Sequence, residues 1–165
     1  MPALKTSAIA PEITLPKLGG GQFSLEEARK NGPVVLAFFK VSCPVCQFAF
    51  PYLERLYQKL HNKPVNVVGI SQDSARDTEA FCREYGVTFP VALDDMKKYP
   101  ASNAYGLTNV PTIFLVASSG TIEVSSVGWS RADLDRITDE LAHAAHAGRI
   151  GIFHTGEQVP DFRAG

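Results

Sequence analysis

Cys43-Pro44-Val45-Cys46 sets two thiols three residues apart, directly behind the apolar run Val34 to Phe39 and directly ahead of a helical pattern. Side chains three apart on a helix share a face, so these sulfurs can close a disulfide with little backbone movement. The first cysteine also falls where free N–H groups and the positive end of the helix dipole stabilise a thiolate. A thiolate that can attack sulfur, with a second thiol ready to displace the product, is the minimum equipment for thiol–disulfide exchange. Cys82, between Phe81 and Tyr85 in a helical pattern, reads as a small buried structural residue.

The elements that must hold this pair are legible around it. Val34 to Phe39 has the length and unbroken apolar character of a strand covered on both faces. From Pro44 onwards Ala49, Leu53, Leu56 and Leu60 recur at helical spacing, with Pro51 inside as an expected kink. Val65 to Ile70 is a second buried strand, and Asp73 or Ser74 is placed to cap a helix to about Tyr85, stopped by Gly86. Phe89 to Leu93 reads as a short strand and Ala101 to Tyr105 as a helix. Thr112 to Val116 and Ile122 to Val127 form a hairpin through Ser118-Ser119-Gly120. Ser130 with Asp133 opens a last helix striped with Leu134, Ile137, Thr138, Leu141 and Ala145. Ahead of these, Ile13 and Leu15 with Gln22 to Leu25 suggest a small hairpin around Gly19-Gly20-Gly21. Strands that first alternate with helices and then form a hairpin predict an α/β domain with a mixed sheet and helices on both faces. Residues 1–148 make that domain, and residues 149–165 are expected to be a loosely attached polar extension.

The composition agrees with one soluble globular domain: 165 residues, 45% hydrophobic and 20% charged. With 16 basic and 17 acidic residues there is no electrostatic case for nucleic acid or an anionic membrane. No apolar run approaches a membrane span, and Met1 to Pro11 lacks the apolar stretch of an export signal. Three cysteines, an odd number, do not make a disulfide framework. The cytoplasm is the expected location.

The chain resembles the thioredoxin-fold superfamily. Within it, the resemblance is to the TlpA-like thiol–disulfide oxidoreductases, a branch adjoining the alkyl hydroperoxide reductase and peroxiredoxin group. The matching pieces are Phe38-Phe39, Cys43-Pro44-Val45-Cys46, Pro51, Ser71-Gln72-Asp73-Ser74, Tyr85 to Val91 and Asn109-Val110-Pro111-Thr112, spread over about residues 10–147. The resemblance implies a thioredoxin-like fold with an N-terminal hairpin extension. It also implies that Cys43 is the exposed attacking thiol and Cys46 the buried resolving one. Pro111 would be a cis-proline opposite them, turning the Val110 backbone towards a substrate chain. Pro44 and Val45 would flank the same substrate, and Asp73 would assist proton transfer unless it merely caps the following helix. Ser42 stands where the family usually has tryptophan, and Val45 keeps an N–H that could donate to the Cys43 sulfur. Partners would be protein or small-molecule disulfides and thiols together with an electron donor or acceptor, and neither direction needs a metal or organic cofactor.

Two other readings compete. In a peroxiredoxin-type peroxidase Cys46 would be the peroxidatic residue and Arg131 a candidate supporting arginine, although the threonine or serine usual three residues earlier is here Cys43. In a zinc or copper carrier, Cys43 and Cys46 would join His143 and His146, a histidine spacing tighter than the usual zinc pattern.

Overall fold

Six consecutive apolar residues, Val34–Phe39, leave no polar face to turn towards water, and the chain buries them at the centre of a sheet. The computed structural model describes residues 2–165. Its elements begin β1 (Thr14–Pro16), β2 (Gln22–Ser24), α1 (Leu25–Arg29), β3 (Val34–Phe39), α2 (Pro44–Leu60), β4 (Asn66–Ser71) and α3 (Ala75–Tyr85). They continue β5 (Val91–Leu93), α4 (Pro100–Ala104), β6 (Thr112–Val116), β7 (Ile122–Val127), β8 (Trp129–Ser130), α5 (Arg131–Ala144) and β9 (Phe162–Arg163).

The main sheet has the order β5-β4-β3-β6-β7. β3 runs parallel to β4, and β4 to β5; β6 runs antiparallel to both β3 and β7. Alternation along β3 divides the core. Val35, Ala37 and Phe39 pack towards α2, α3 and α5, while Val34, Leu36 and Phe38 pack towards the β1–β2 hairpin, α1 and α4. This is the mixed, doubly covered, thioredoxin-like arrangement that the sequence predicts, with the N-terminal hairpin in place. α2 continues through Pro51 as one helix. The strand expected from Phe89 begins only at Val91, because Pro90 has no N–H for a ladder and Phe89 packs its ring against Phe50 and Tyr57 instead.

Helix starts are set by side chains. Ser24, Ser74 and Ser130 each accept the N–H three residues on, at 3.3, 3.1 and 3.2 Å, opening α1, α3 and α5. Gly86, at φ 69°, closes α3 in the left-handed conformation.

The expectation of a loosely attached C-terminal extension is corrected. Ile152 is buried, and Phe153 stacks on Tyr52 and Trp129. The Trp129 indole N–H donates to the Pro160 carbonyl at 2.7 Å, and β9 pairs antiparallel with β8. Arg55 grips Glu157 through two bonds of 2.8 and 2.9 Å. Hydropathy periodicity misses this because the extension docks through backbone groups, one ion pair and the irregularly spaced Ile150, Ile152, Phe153 and Val159 rather than through an amphipathic element.

Arg55, with the His154 N–H, holds the Glu157 carboxyl down at about 2 from the ordinary 4.5. A depressed acid favours the docked form above its free pKa, and that contribution disappears as pH falls from about 4.5 through about 2. The emission of Trp129, the single tryptophan, is therefore expected to shift as the extension loosens in that window. In Glu157→Gln the acid-dependent shift should be absent.

Candidate active site

The β3–β6 ladder pairs Phe38 with Thr112, so the exit of one strand meets the entry of the other. Everything after Phe39 is thereby brought against everything before Thr112. On one side lie Cys43 and the start of α2; on the other lies the Val110–Pro111 peptide, which is cis.

Cys43 is the N-cap of α2, in extended backbone at φ −83° and ψ 115°. Its sulfur accepts the Cys46 N–H at 3.2 Å, while its thiol donates to the Val110 carbonyl at 3.3 Å. The donor aimed at this sulfur is thus the N–H of Cys46 and not, as the sequence suggested, that of Val45. A capping side chain reaches the N–H two or three residues on, and of Val45 and Cys46 it is the second, three residues on, that the Cys43 sulfur takes. Pro44 is exposed beside the sulfur, as a substrate contact requires. Val45 is buried, and its side chain belongs to the core beneath α2 instead of the binding surface.

Cys46 is fully buried. Desolvation, reinforced by the neighbouring Cys43 thiol, pushes its own thiol well above the ordinary range. The two sulfurs therefore differ by position: Cys43 is half-exposed at a helix start, and Cys46 is covered one turn inside. Cys82 is half-buried on α3, and burial raises its thiol to about 11. At neutral pH it keeps its proton.

Asp73 does not cap α3; Ser74 does. The Asp73 carboxylate accepts the Val41 N–H at 2.8 Å, and Gln47 donates to the Val41 carbonyl at 2.9 Å. Both backbone groups of Val41, two residues before Cys43, are held. This is a clamp on the loop that aims Cys43, and it makes Asp73 a positioning residue. Gln47 was missed from sequence because a glutamine facing back over its own helix start carries no periodic signal. Lys40 is exposed and shares a cavity of about 300 Å3 with Gln72, Leu107, Thr108, Asn109 and Val110.

The proposed metal constellation does not form. His143 lines a cavity with Pro33, Leu115 and Ser118, at the opposite end of β3 from Cys43. Six strand residues separate the two ends, roughly 20 Å. Among the described residues no group of three or more histidine, cysteine or acidic side chains could hold a metal ion. Arg131, the candidate for a peroxide site, lies over the Phe153 ring at 4.9 Å.

A thioredoxin-like sheet with a Cys-x-x-Cys pair at a helix start and a cis-proline opposite defines a class of redox proteins. Residues 6–125 match the AhpC/TSA family. The chain belongs to that family, and it is an enzyme of thiol–disulfide exchange. It is similar to the thiol-disulfide oxidoreductase ResA of Geobacillus thermodenitrificans, with 29% identity over 122 residues, covering 73% of this chain and 68% of that protein. It is also similar to a thiol:disulfide interchange protein of Chlorobium tepidum, with 26% identity, a TM-score of 0.69, and coverage of 86% of this chain and 99% of that one. The fold extends to the peroxidoxin BcpB of Mycobacterium tuberculosis, at 20% identity and a TM-score of 0.72, covering 85% and 97% of the two chains.

Attack by Cys46 requires its deprotonation, and a raised thiol pKa makes that rarer at neutral pH. Resolution of a mixed disulfide on Cys43 is therefore expected to accelerate roughly tenfold per pH unit between about pH 7 and 9, read by stopped-flow single turnover. Asp73→Asn should keep that slope. Asp73→Ala, which leaves the Val41 N–H unpaired, should cost about 1–2 kcal/mol of stability in denaturant unfolding. A slope that collapses in Asp73→Asn would make Asp73 the proton acceptor after all.

Proposed function

We propose that the reduced protein works as a disulfide reductase on protein or low-molecular-weight disulfides, with Cys43 attacking and Cys46 resolving. The observation that carries this reading is the asymmetry of the pair: one half-exposed sulfur under the Val110 carbonyl, one sulfur buried. The Cys43 thiolate attacks one sulfur of the substrate disulfide, forming a mixed disulfide and releasing one substrate thiolate, which takes a proton from water. Cys46 then loses its proton and attacks the Cys43 sulfur. The second substrate thiol leaves, and a Cys43–Cys46 disulfide remains. Two electrons have moved from the protein pair to the substrate. An external dithiol or low-molecular-weight thiol returns them.

Val110 supplies the edge for the incoming chain. A cis peptide at Pro111 presents the Val110 carbonyl towards Cys43, and the extended backbone flanking a substrate cysteine can lie against that edge. Pro44 forms the apolar lip on the other side. The cytoplasm, where thiol pools keep such pairs reduced, is the compartment in which this direction operates.

Peroxide reduction by Cys46 is the second reading, and the AhpC/TSA match is what favours it. Burial of Cys46 beneath the first turn of α2 weighs against it, since a covered, protonated thiol is a poor nucleophile for peroxide. The two readings part on single variants. Under exchange, Cys43→Ser abolishes insulin reduction, while Cys46→Ser still attacks once and accumulates a mixed disulfide visible by mass spectrometry. Peroxide consumption that survives Cys43→Ser but is lost in Cys46→Ser would instead establish the peroxidase.

A further inference from the structure

Residues 149–165 take no part in the exchange steps, yet they fold onto the face that carries them. The Pro160 carbonyl receives the Trp129 indole N–H at 2.7 Å, and the Asp161 carbonyl receives the Arg131 N–H at 2.9 Å. Phe162 and Arg163 ladder with β8, and the Arg163 guanidinium lies 4.9 Å from the centre of the Phe48 ring, two residues beyond Cys46. The segment then runs onto the loop ahead of the cis-proline. Asn109 donates its side-chain amide to the Gly165 carbonyl at 3.4 Å.

Two glycines permit this approach. A methyl group added at Gly165 would overlap the Val110 carbonyl oxygen, the same oxygen that receives the Cys43 thiol. On the other flank Gly128, at φ 79°, faces the Arg163 carbonyl so closely that a Cβ would sit 2.5 Å from it. Backbone lies against backbone on both flanks. That is the kind of contact an incoming substrate chain makes, and at Val110 the place is already taken.

We propose that residues 160–165 are a strap occupying the docking edge for protein substrates at Val110, so that the enzyme discriminates between small disulfides and protein disulfides. This deepens the reading above and rests on it, taking Cys43 as the attacking thiol and Val110 as the docking edge. A small disulfide needs only the half-exposed Cys43 sulfur. A protein disulfide brings flanking chain that must displace the strap. The strap's contribution is the fraction of time it leaves the edge free, which scales the apparent affinity for a protein substrate directly. Its attachments suit an element that lifts: a two-residue ladder, the exposed Phe162, and the Arg55–Glu157 pair as a peg outside the site.

The test uses the full reduced chain, with insulin as the protein disulfide and bis(2-hydroxyethyl) disulfide as the small one. Gly165→Val forces the strap off Val110, and Glu157→Gln loosens its peg without touching the site. Trp129 emission reports whether the strap has moved, and far-UV circular dichroism reports whether the core is intact. The expected result is an insulin rate raised about tenfold in Gly165→Val, and less in Glu157→Gln, with the small-disulfide rate unchanged and emission shifted. An insulin rate that stays level or falls while emission shifts overturns the strap; a fall would make the segment a binding platform. Emission unshifted in both variants overturns it too, because the Gly165 contact would then not hold the segment down. Failure of the underlying reading shows separately: Cys43→Ser would still reduce both substrates, whatever the state of the strap.

Discussion

Phe38 pairs with Thr112 in the antiparallel β3–β6 ladder, and the chemistry depends on that register. A slip of two residues would keep every side chain on its proper face and would still carry the cis Val110–Pro111 peptide roughly 7 Å along the strand, out of reach of Cys43. The register is held by burial on both faces of β3, where neither Phe38 nor Phe39 is exposed at all. Phe38 meets Phe114 and Tyr105 on one side, and Phe39 meets Phe50 and Phe81 on the other. The aromatic packing beneath the loops therefore sets the geometry of the thiols above it.

On that platform the two cysteines acquire different properties from one helical turn. The first caps the helix, where its sulfur collects an N–H that no backbone carbonyl claims. The second faces inward beside Ala49 and Phe50, and desolvation keeps its proton in place. An attacking thiol and a delayed resolving thiol follow from a sulfur at the cap and a sulfur one turn later. Loop geometry completes the arrangement: with Val41 held at both its backbone groups, Cys43 approaches Val110 without a floppy connection.

The C-terminal extension uses the same surface from outside. It shares Trp129 with the core, Phe48 with α2 and Val110 with the cis-proline loop, so its docking and the openness of the site are one physical variable.

The sequence by itself determined the order of elements, the buried character of β3, the serine cap of α5, a cap for α3 at Asp73 or Ser74, and the pair of thiols at the start of α2. Each of these is a local property, fixed by hydropathy period, by a hydroxyl three residues before an N–H, or by the spacing of two cysteines. It also marked Asp73 and Val45, but not what they touch. Their roles were decided by tertiary structure, because Asp73 finds its partner 32 residues away across the β3–β4 edge and Val45 turns into a core built by the sheet, α3 and α5. The extension was illegible for the same reason. Its contacts are made through backbone carbonyls, glycines, one ion pair and apolar side chains at no helical or strand period, and they exist only once β8, α2 and the Val110 loop have been brought together.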